Sequence, residues 1–179
     1  RPVKILLNRE ETFFTHRGRH PMNMQMTLSA NPDGRLTGLD SKILIDGGAY
    51  TSFGLVTTYY AGQLLTAPTG YETYRFDSSR VFTNKPPCGP KRGHGSVQPR
   101  FAFEIQLDKM AESLGIDPID LRRINDVGAN AETVNGQAVT SNGFLECLER
   151  VETASDWKAR RGQLSYGRGL GVAGSMYIS

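Results

Sequence analysis

The chain has 179 residues, 38% of them hydrophobic, with 21 Lys and Arg against 18 Asp and Glu for a formal net charge of +3. This length supports one ordinary domain or two small lobes around a packed core. The near-balanced, interspersed charges argue against nucleic acid as a partner, and the lack of any apolar run near the roughly 20 residues that span a bilayer argues against a membrane-spanning helix.

In chain order, Val3-Lys4-Ile5-Leu6-Leu7-Asn8 reads as a strand and Arg9 to Phe14 as a short helical turn. Met22, Met24, Met26 and Leu28 alternate with Asn23, Gln25 and Thr27, the period-two pattern of a half-buried strand. Asn31-Pro32-Asp33-Gly34 is strong turn chemistry, so the return strand Leu36 to Ile45 completes a hairpin with the methionines packed in the core. Asp46-Gly47-Gly48 breaks that strand. Thr51 to Gly70 reads as an irregular, partly helical loop, and Tyr74 to Thr83 as a further strand.

From Ser96 the period changes. Phe103, Leu107, Met110 and Leu114 fall on one face of a long amphipathic helix ending near Gly115. Asp117-Pro118-Ile119-Asp120 then combines an N-cap, a first-turn proline and an acid at the third position. Gly128 to Thr140 is polar and turn-rich. Phe144, Leu148 and Val151 mark a third helix capped by Ser141 or Asn142, and Trp157 to Arg161 is a basic surface with one aromatic anchor. Gly171 to Ser179 reads as a glycine-interrupted strand. The resulting fold class is α+β, an antiparallel hairpin followed by packed amphipathic helices: 1–85 mainly strands and loops, 86–160 mainly helices, 161–179 a terminal strand. Both ends read as cut strands, which predicts a fragment.

Cys88 and Cys147 have no CxxC spacing, so neither zinc nor an iron–sulfur cluster is expected on this chain. Reduced thiols in the cytoplasm are the expectation, since no export-type leader opens the chain. The informative stretch is Pro86-Pro87-Cys88-Gly89-Pro90-Lys91-Arg92-Gly93-His94-Gly95-Ser96-Val97-Gln98, joining a strand to the start of the longest helix. Unpaired amides at a helix start carry partial positive charge, and glycines there admit an anionic group; Arg92 adds a planar, two-pronged donor. From spacing alone, a tight glycine turn with a surface arginine is an equal reading, because neither the Walker nor the dinucleotide pattern is present.

Several segments in order resemble the molybdenum-binding large subunits of the xanthine dehydrogenase and aldehyde oxidase family. They are Arg1-Pro2-Val3-Lys4 with Asn8-Arg9-Glu10-Glu11, then Gly18-Arg19-His20-Pro21, then Asp46-Gly47-Gly48-Ala49-Tyr50. Phe82-Thr83-Asn84-Lys85 through Arg92-Gly93-His94-Gly95-Ser96-Val97-Gln98, and Asp117 to Asn125, complete the likeness. The Arg-Gly-His-Gly variant, with Thr133-Val134-Asn135-Gly136 and Ser141-Asn142-Gly143, resembles the 4-hydroxybenzoyl-CoA reductase branch.

The resemblance implies a fragment of a molybdopterin-binding domain in which Arg92, Gly93 and Gln98 lie against the cofactor, as molybdopterin or its cytosine dinucleotide. [2Fe–2S] and FAD are implied on partner subunits or domains of an oligomeric oxidoreductase. His94 replaces the aromatic that packs over the substrate ring, so a polar pocket contact and an inward-turned helix-cap role both stand. Tyr59 and Tyr60 lie where xanthine-type enzymes carry a substrate-orienting arginine, which argues against purines; they suit an aromatic substrate or plain packing. The family's catalytic glutamate belongs to a region outside this chain. Glu104 and Glu146 are read as surface or capping charges, leaving no catalytic residue here. The alternative is a non-catalytic module that binds phosphate or a partner subunit at the glycine-rich helix start.

Overall fold

The computed structural model describes residues 1–177. The alternation of residues 22–28 becomes β1 (Met22–Ala30), half-buried and exposed in strict turn. It pairs antiparallel with β2 (Leu36–Asp46), from Met22 opposite Ile45 to Leu28 opposite Leu39, and a register shift falls at Ser29/Ala30. The turn closes through a 2.9 Å bond from the Gly34 amide to the Asn31 carbonyl.

On the other side of β2 lies β3 (Thr73–Val81), and this pairing is parallel, from Gly38 opposite Thr73 to Asp46 opposite Val81. The sheet is therefore mixed, where the sequence predicts only antiparallel pairing. Parallel strands require a long crossover. Here it contains a full helix, α2 (Gly54–Gln63), and a 3-10 turn (Leu64–Thr66) in the region read as an irregular, partly helical loop. The helix escapes the sequence pattern because its buried face is made of Gly54, Thr57, Ala61 and Gly62. No large apolar residue marks its period.

One layer of helix covers the sheet. Phe103, Leu107 and Ala111 of α3 (Val97–Leu114) pack with Leu36, Leu39, Leu65, Tyr71 and Leu121, flanked by Met26 and Leu28. Burying each of the larger side chains contributes about 1.5–3 kcal/mol. Gly115, at φ 67°, ends α3 in the left-handed cap glycine favours. Asp117 caps α4 (Pro118–Ile124) by accepting from the Ile119 amide at 2.8 Å.

The polar stretch forms a minimal hairpin, β4 (Ala131–Glu132) with β5 (Ala138–Val139). It leads to α5 (Phe144–Ser155), whose first amide, that of Phe144, donates to Asn142 Oδ1 while Gly143 holds the N-cap position. A short α6 (Trp157–Arg160) follows. Ile119, Leu148 and Trp157 make a second cluster against Phe144, Leu170 and Val172.

Two predicted strands are absent among the described residues. Val3 to Asn8 is exposed and pairs with nothing, because no strand lies beside it; Asn8 instead caps α1 (Arg9–Thr15) through a reciprocal capping box with Glu11. Gly171 to Tyr177 forms no ladder either and lies as a strap against the helices, tied by the Gly174 amide. Ile178 and Ser179 of that predicted strand fall outside the described residues. Glu104, read as a surface or capping charge, is instead buried between Arg122 and Arg100; Glu146 is exposed and pairs with Arg150.

Candidate cofactor site

The site is built where β2 and β3 end. Asp46 organises it: Oδ1 accepts from Thr83 Oγ1 at 2.6 Å and the Gly48 amide at 3.0 Å, and Oδ2 accepts from Lys85 Nζ at 2.6 Å. The Lys85 and Thr83 bonds hold its carboxyl well below the usual carboxylate range. Backbone bonds then zip the segment after β2 to the one after β3: Thr83 N to Gly48 O, Ala49 N to Lys85 O, and Cys88 N to Gly47 O. Gly48, at φ 69°, tolerates no side chain, since a Cβ would stand 2.3 Å from the Pro86 carbonyl oxygen.

Beneath this zipper the Arg80 guanidinium stacks on Phe82 and donates to the Gly47 and Tyr50 carbonyls at 3.1 and 3.0 Å. A Cβ on Gly47 or Gly54 would strike that guanidinium at 2.3 or 2.1 Å.

The glycine loop turns into α3 through two left-handed residues, Gly93 (φ 71°) and Gly95 (φ 82°). Gly95 lies flat on α2, where a Cβ would be 2.6 Å from the Thr57 carbonyl oxygen. Ser96, at the N-cap, turns its hydroxyl back to the Gly93 carbonyl and caps no amide, so the first turn of α3 keeps its donors free of side-chain partners. Gln98 donates to the His20 carbonyl at 2.7 Å, leaving its buried Oε1 unpartnered. The Arg92 backbone is anchored by Arg19, which donates to its carbonyl at 2.7 Å; among the described residues, the exposed Arg92 guanidinium has no hydrogen-bond partner.

His94 is buried, with its Nε2 3.1 Å from Thr57 Oγ1. Phe53 lies 5.7 Å away, Tyr60 meets it edge-on at 6.2 Å, and His20 is 6.5 Å off. Burial lowers the affinity of His94 for a proton. His20, with its Nε2 buried and unpartnered, is pushed down to about 4 by burial and then by the charges of Arg80 and His94.

The structure thus gathers Arg92, Gly93, His94 and Gln98 on one loop and helix start, with Tyr60 against His94. Tyr59 packs on Tyr60 at 5.7 Å but lines a separate groove of about 470 Å³ with Leu55, Thr58, Tyr74 and Phe76. His94 caps no helix of its own; its ring is engaged by α2. Sequence reasoning missed His20, Phe53 and Arg80 as parts of this region, and it placed Gly95 in the loop without the close approach to α2 that requires a glycine there. The glycine doublets were the available signal for the close approaches, and nothing local marked Arg80. Among the described residues no cluster of three or more His, Cys, Asp or Glu is placed to hold a metal ion directly.

The strand ends of the mixed sheet thus lead to a glycine-bordered helix start beside a guanidinium that has no partner among the described residues. The chain belongs to the molybdopterin cofactor-binding domain family, whose model matches residues 1–126. It is 35% identical to the xanthine dehydrogenase molybdenum-binding subunit of Escherichia coli O157:H7 over 99% of this chain and 24% of that protein. With the nicotinate dehydrogenase large molybdopterin subunit of Eubacterium barkeri it shares 35% identity over 84% of this chain and 36% of that one. Quinoline 2-oxidoreductase of Pseudomonas putida 86 superposes with a TM-score of 0.79 at 26% identity, covering 86% of this chain and 20% of that chain. The chain spans about a quarter of the length of the xanthine dehydrogenase relative. No helix among the described residues is long and apolar enough to cross a membrane.

Proposed function

We propose that this chain forms one wall of the molybdopterin site in a larger cytoplasmic oxidoreductase acting on a small aromatic, heterocyclic or aldehyde carbon. The observation that carries the reading is the Arg92 guanidinium, free of protein partners among the described residues and set beside a glycine-lined helix start. The residues fit such a group. Gly93 and Gly95 let the backbone turn without a Cβ in the way, the open amides of α3 suit phosphate or ring carbonyl oxygens, and Gln98 Oε1 is a buried acceptor still in need of a donor.

When bound, molybdopterin, alone or as its cytosine dinucleotide, supplies the molybdenum centre that accepts the substrate's electron pair. Arg92 would hold it, its planar guanidinium being suited to paired, charge-assisted hydrogen bonds. Gly93 admits it closely, and Gln98 locks the helix start to the His20 segment behind it. His94 and Tyr60 form the neighbouring wall on the substrate side, while Tyr59 faces the separate groove and is left out of it. [2Fe–2S] and FAD groups on partner subunits or domains of an oligomer would supply the onward electron-transfer chemistry. No residue of this chain is assigned to the chemical step. Glu104 is committed to Arg122, and Glu146 is a surface ion pair.

The test is molybdenum per subunit and thermal midpoint for the complete enzyme carrying Arg92→Ala or Arg92→Lys. Both variants are expected to keep their midpoint and lose most of their molybdenum, since an ammonium cannot reproduce the planar fork. Full loading in both would make Arg92 a surface residue and remove the assignment.

A further inference from the structure

In the helical half, two buried guanidiniums and one backbone amide converge on a single buried carboxylate. Glu104 Oε2 accepts from Arg122 Nε at 2.9 Å, from Arg122 Nη2 at 2.7 Å and from the backbone amide of Gly174 at 2.9 Å. Arg100 stands 3.8 Å from Oε1. The guanidinium of Arg122 also reaches the Pro118 carbonyl and Asp108, and that of Arg100 reaches the carbonyls of Leu64 and Ala67. One buried anion therefore joins α3, α4, the end of the crossover and the strap.

The strap is fitted at the same point from its other side. A Cβ on Gly174 would lie 2.6 Å from the Phe144 ring, so only a glycine brings this amide down to the carboxylate without moving that ring. Before Gly174, Leu170 and Val172 pack on the second apolar cluster. After it, Ser175 and Met176 border a cavity of about 410 Å³, and Tyr177 meets Tyr60 edge-on at 6.2 Å. Tyr60 in turn meets His94 edge-on at the same separation. The strap thus runs from the helical core to the aromatic wall of the candidate site.

We propose that Glu104, held by Arg122, is a positioning residue: it pins the strap at Gly174 and so sets Tyr177 and Tyr60 against His94. A carboxylate suits this task because it accepts the two Arg122 bonds and the Gly174 amide together, and charge-assisted bonds of this kind are the strong ones. The inference rests on the proposed function only in taking the His94–Tyr60 side to face substrate; the pinning itself does not depend on it.

Hydrogen exchange on the complete enzyme, read over the amides of this region, tests the pinning. Gly174→Ala, which leaves Glu104 and both arginines in place, is expected to speed exchange of amides 172–177 at least about tenfold while amides 103–111 keep their protection. Glu104→Gln, which retains an acceptor for Gly174, is expected to give a smaller acceleration. Unchanged exchange in Gly174→Ala would overturn the pin. In the complete enzyme, Gly174→Ala is expected to raise KM for an aromatic substrate several-fold, with kcat and molybdenum content within about twofold of wild type. Faster exchange with an unchanged KM would reduce Glu104 to a structural ion pair. An Arg92→Ala enzyme that kept its molybdenum would instead strike the cofactor assignment and leave the exchange result standing.

Discussion

The sheet and α3 on one hand, and the loops at the strand ends on the other, are stabilised in opposite ways. The first region is filled by Leu36, Leu39, Phe103, Leu107 and Leu121, and its energy is apolar area removed from water. The second contains hardly any large buried apolar side chain. It holds together through Asp46, Arg80, backbone bonds between 47–49 and 83–88, and glycines at 47, 48, 54 and 95 where a methyl group would collide. The scaffold depends on large apolar side chains, and the site on a few polar ones together with positions that must carry none. A core can be rebuilt with other apolar residues of similar volume. A carbonyl oxygen 2.3 Å from where a methyl group on Gly48 would stand leaves no such freedom.

That contrast can be broken from either end. Phe103→Ala should be the most costly change, lowering unfolding free energy by about 3–5 kcal/mol in urea titration, because it opens a cavity in the fully buried cluster. A loss under about 1 kcal/mol would mean that the sheet–helix interface is not the main source of stability. Gly95→Ala should cost about 2 kcal/mol, combining a positive φ with the clash at the Thr57 carbonyl. Thermal unfolding that matched wild type would show the loop able to lift off α2.

Acid should act on the site region before the scaffold. Since His20 titrates near 4 when folded and near 6.5 when exposed, the unfolded chain takes up the proton first. Its contribution to stability is therefore complete above pH 6.5 and is lost as pH falls toward 4, with His94 acting in the same direction. His20→Gln should flatten the stability curve across that interval, and an undiminished slope would place the titrating group elsewhere. The smallest effect is expected at Arg92→Ala, within about 0.5 kcal/mol of wild type, because its exposed guanidinium bonds nothing among the described residues. A larger loss in the same titration would show that the guanidinium supports the fold.

How far each region could be read in advance follows from the same contrast. Period-two methionines and a strong turn specify the hairpin, and the Phe103–Leu114 stripe with Gly115 and Asp117-Pro118 specifies two helices and their boundary, because these signals are local and repeat along the chain. The family, too, was legible, since its motifs are short runs in fixed order. Other features depend on what lies across space. The α2 helix buries only small residues and so carries no apolar period. Whether β3 pairs parallel depends on which end of β2 the crossover returns to. Val3 to Asn8 has the composition of a strand and, among the described residues, no neighbour to pair with. Glu104 looks like any helical surface acid until Arg122, 18 residues on, folds against it. The sequence by itself determined the hairpin, the two central helices, the glycine loop and the family; only the tertiary structure decided the mixed sheet, the inward turn of His94 and the strap pinned at Gly174. The reason is physical: periodicity and capping are set within a few residues, whereas strand partners, close backbone approaches and buried ion pairs exist only once distant segments meet.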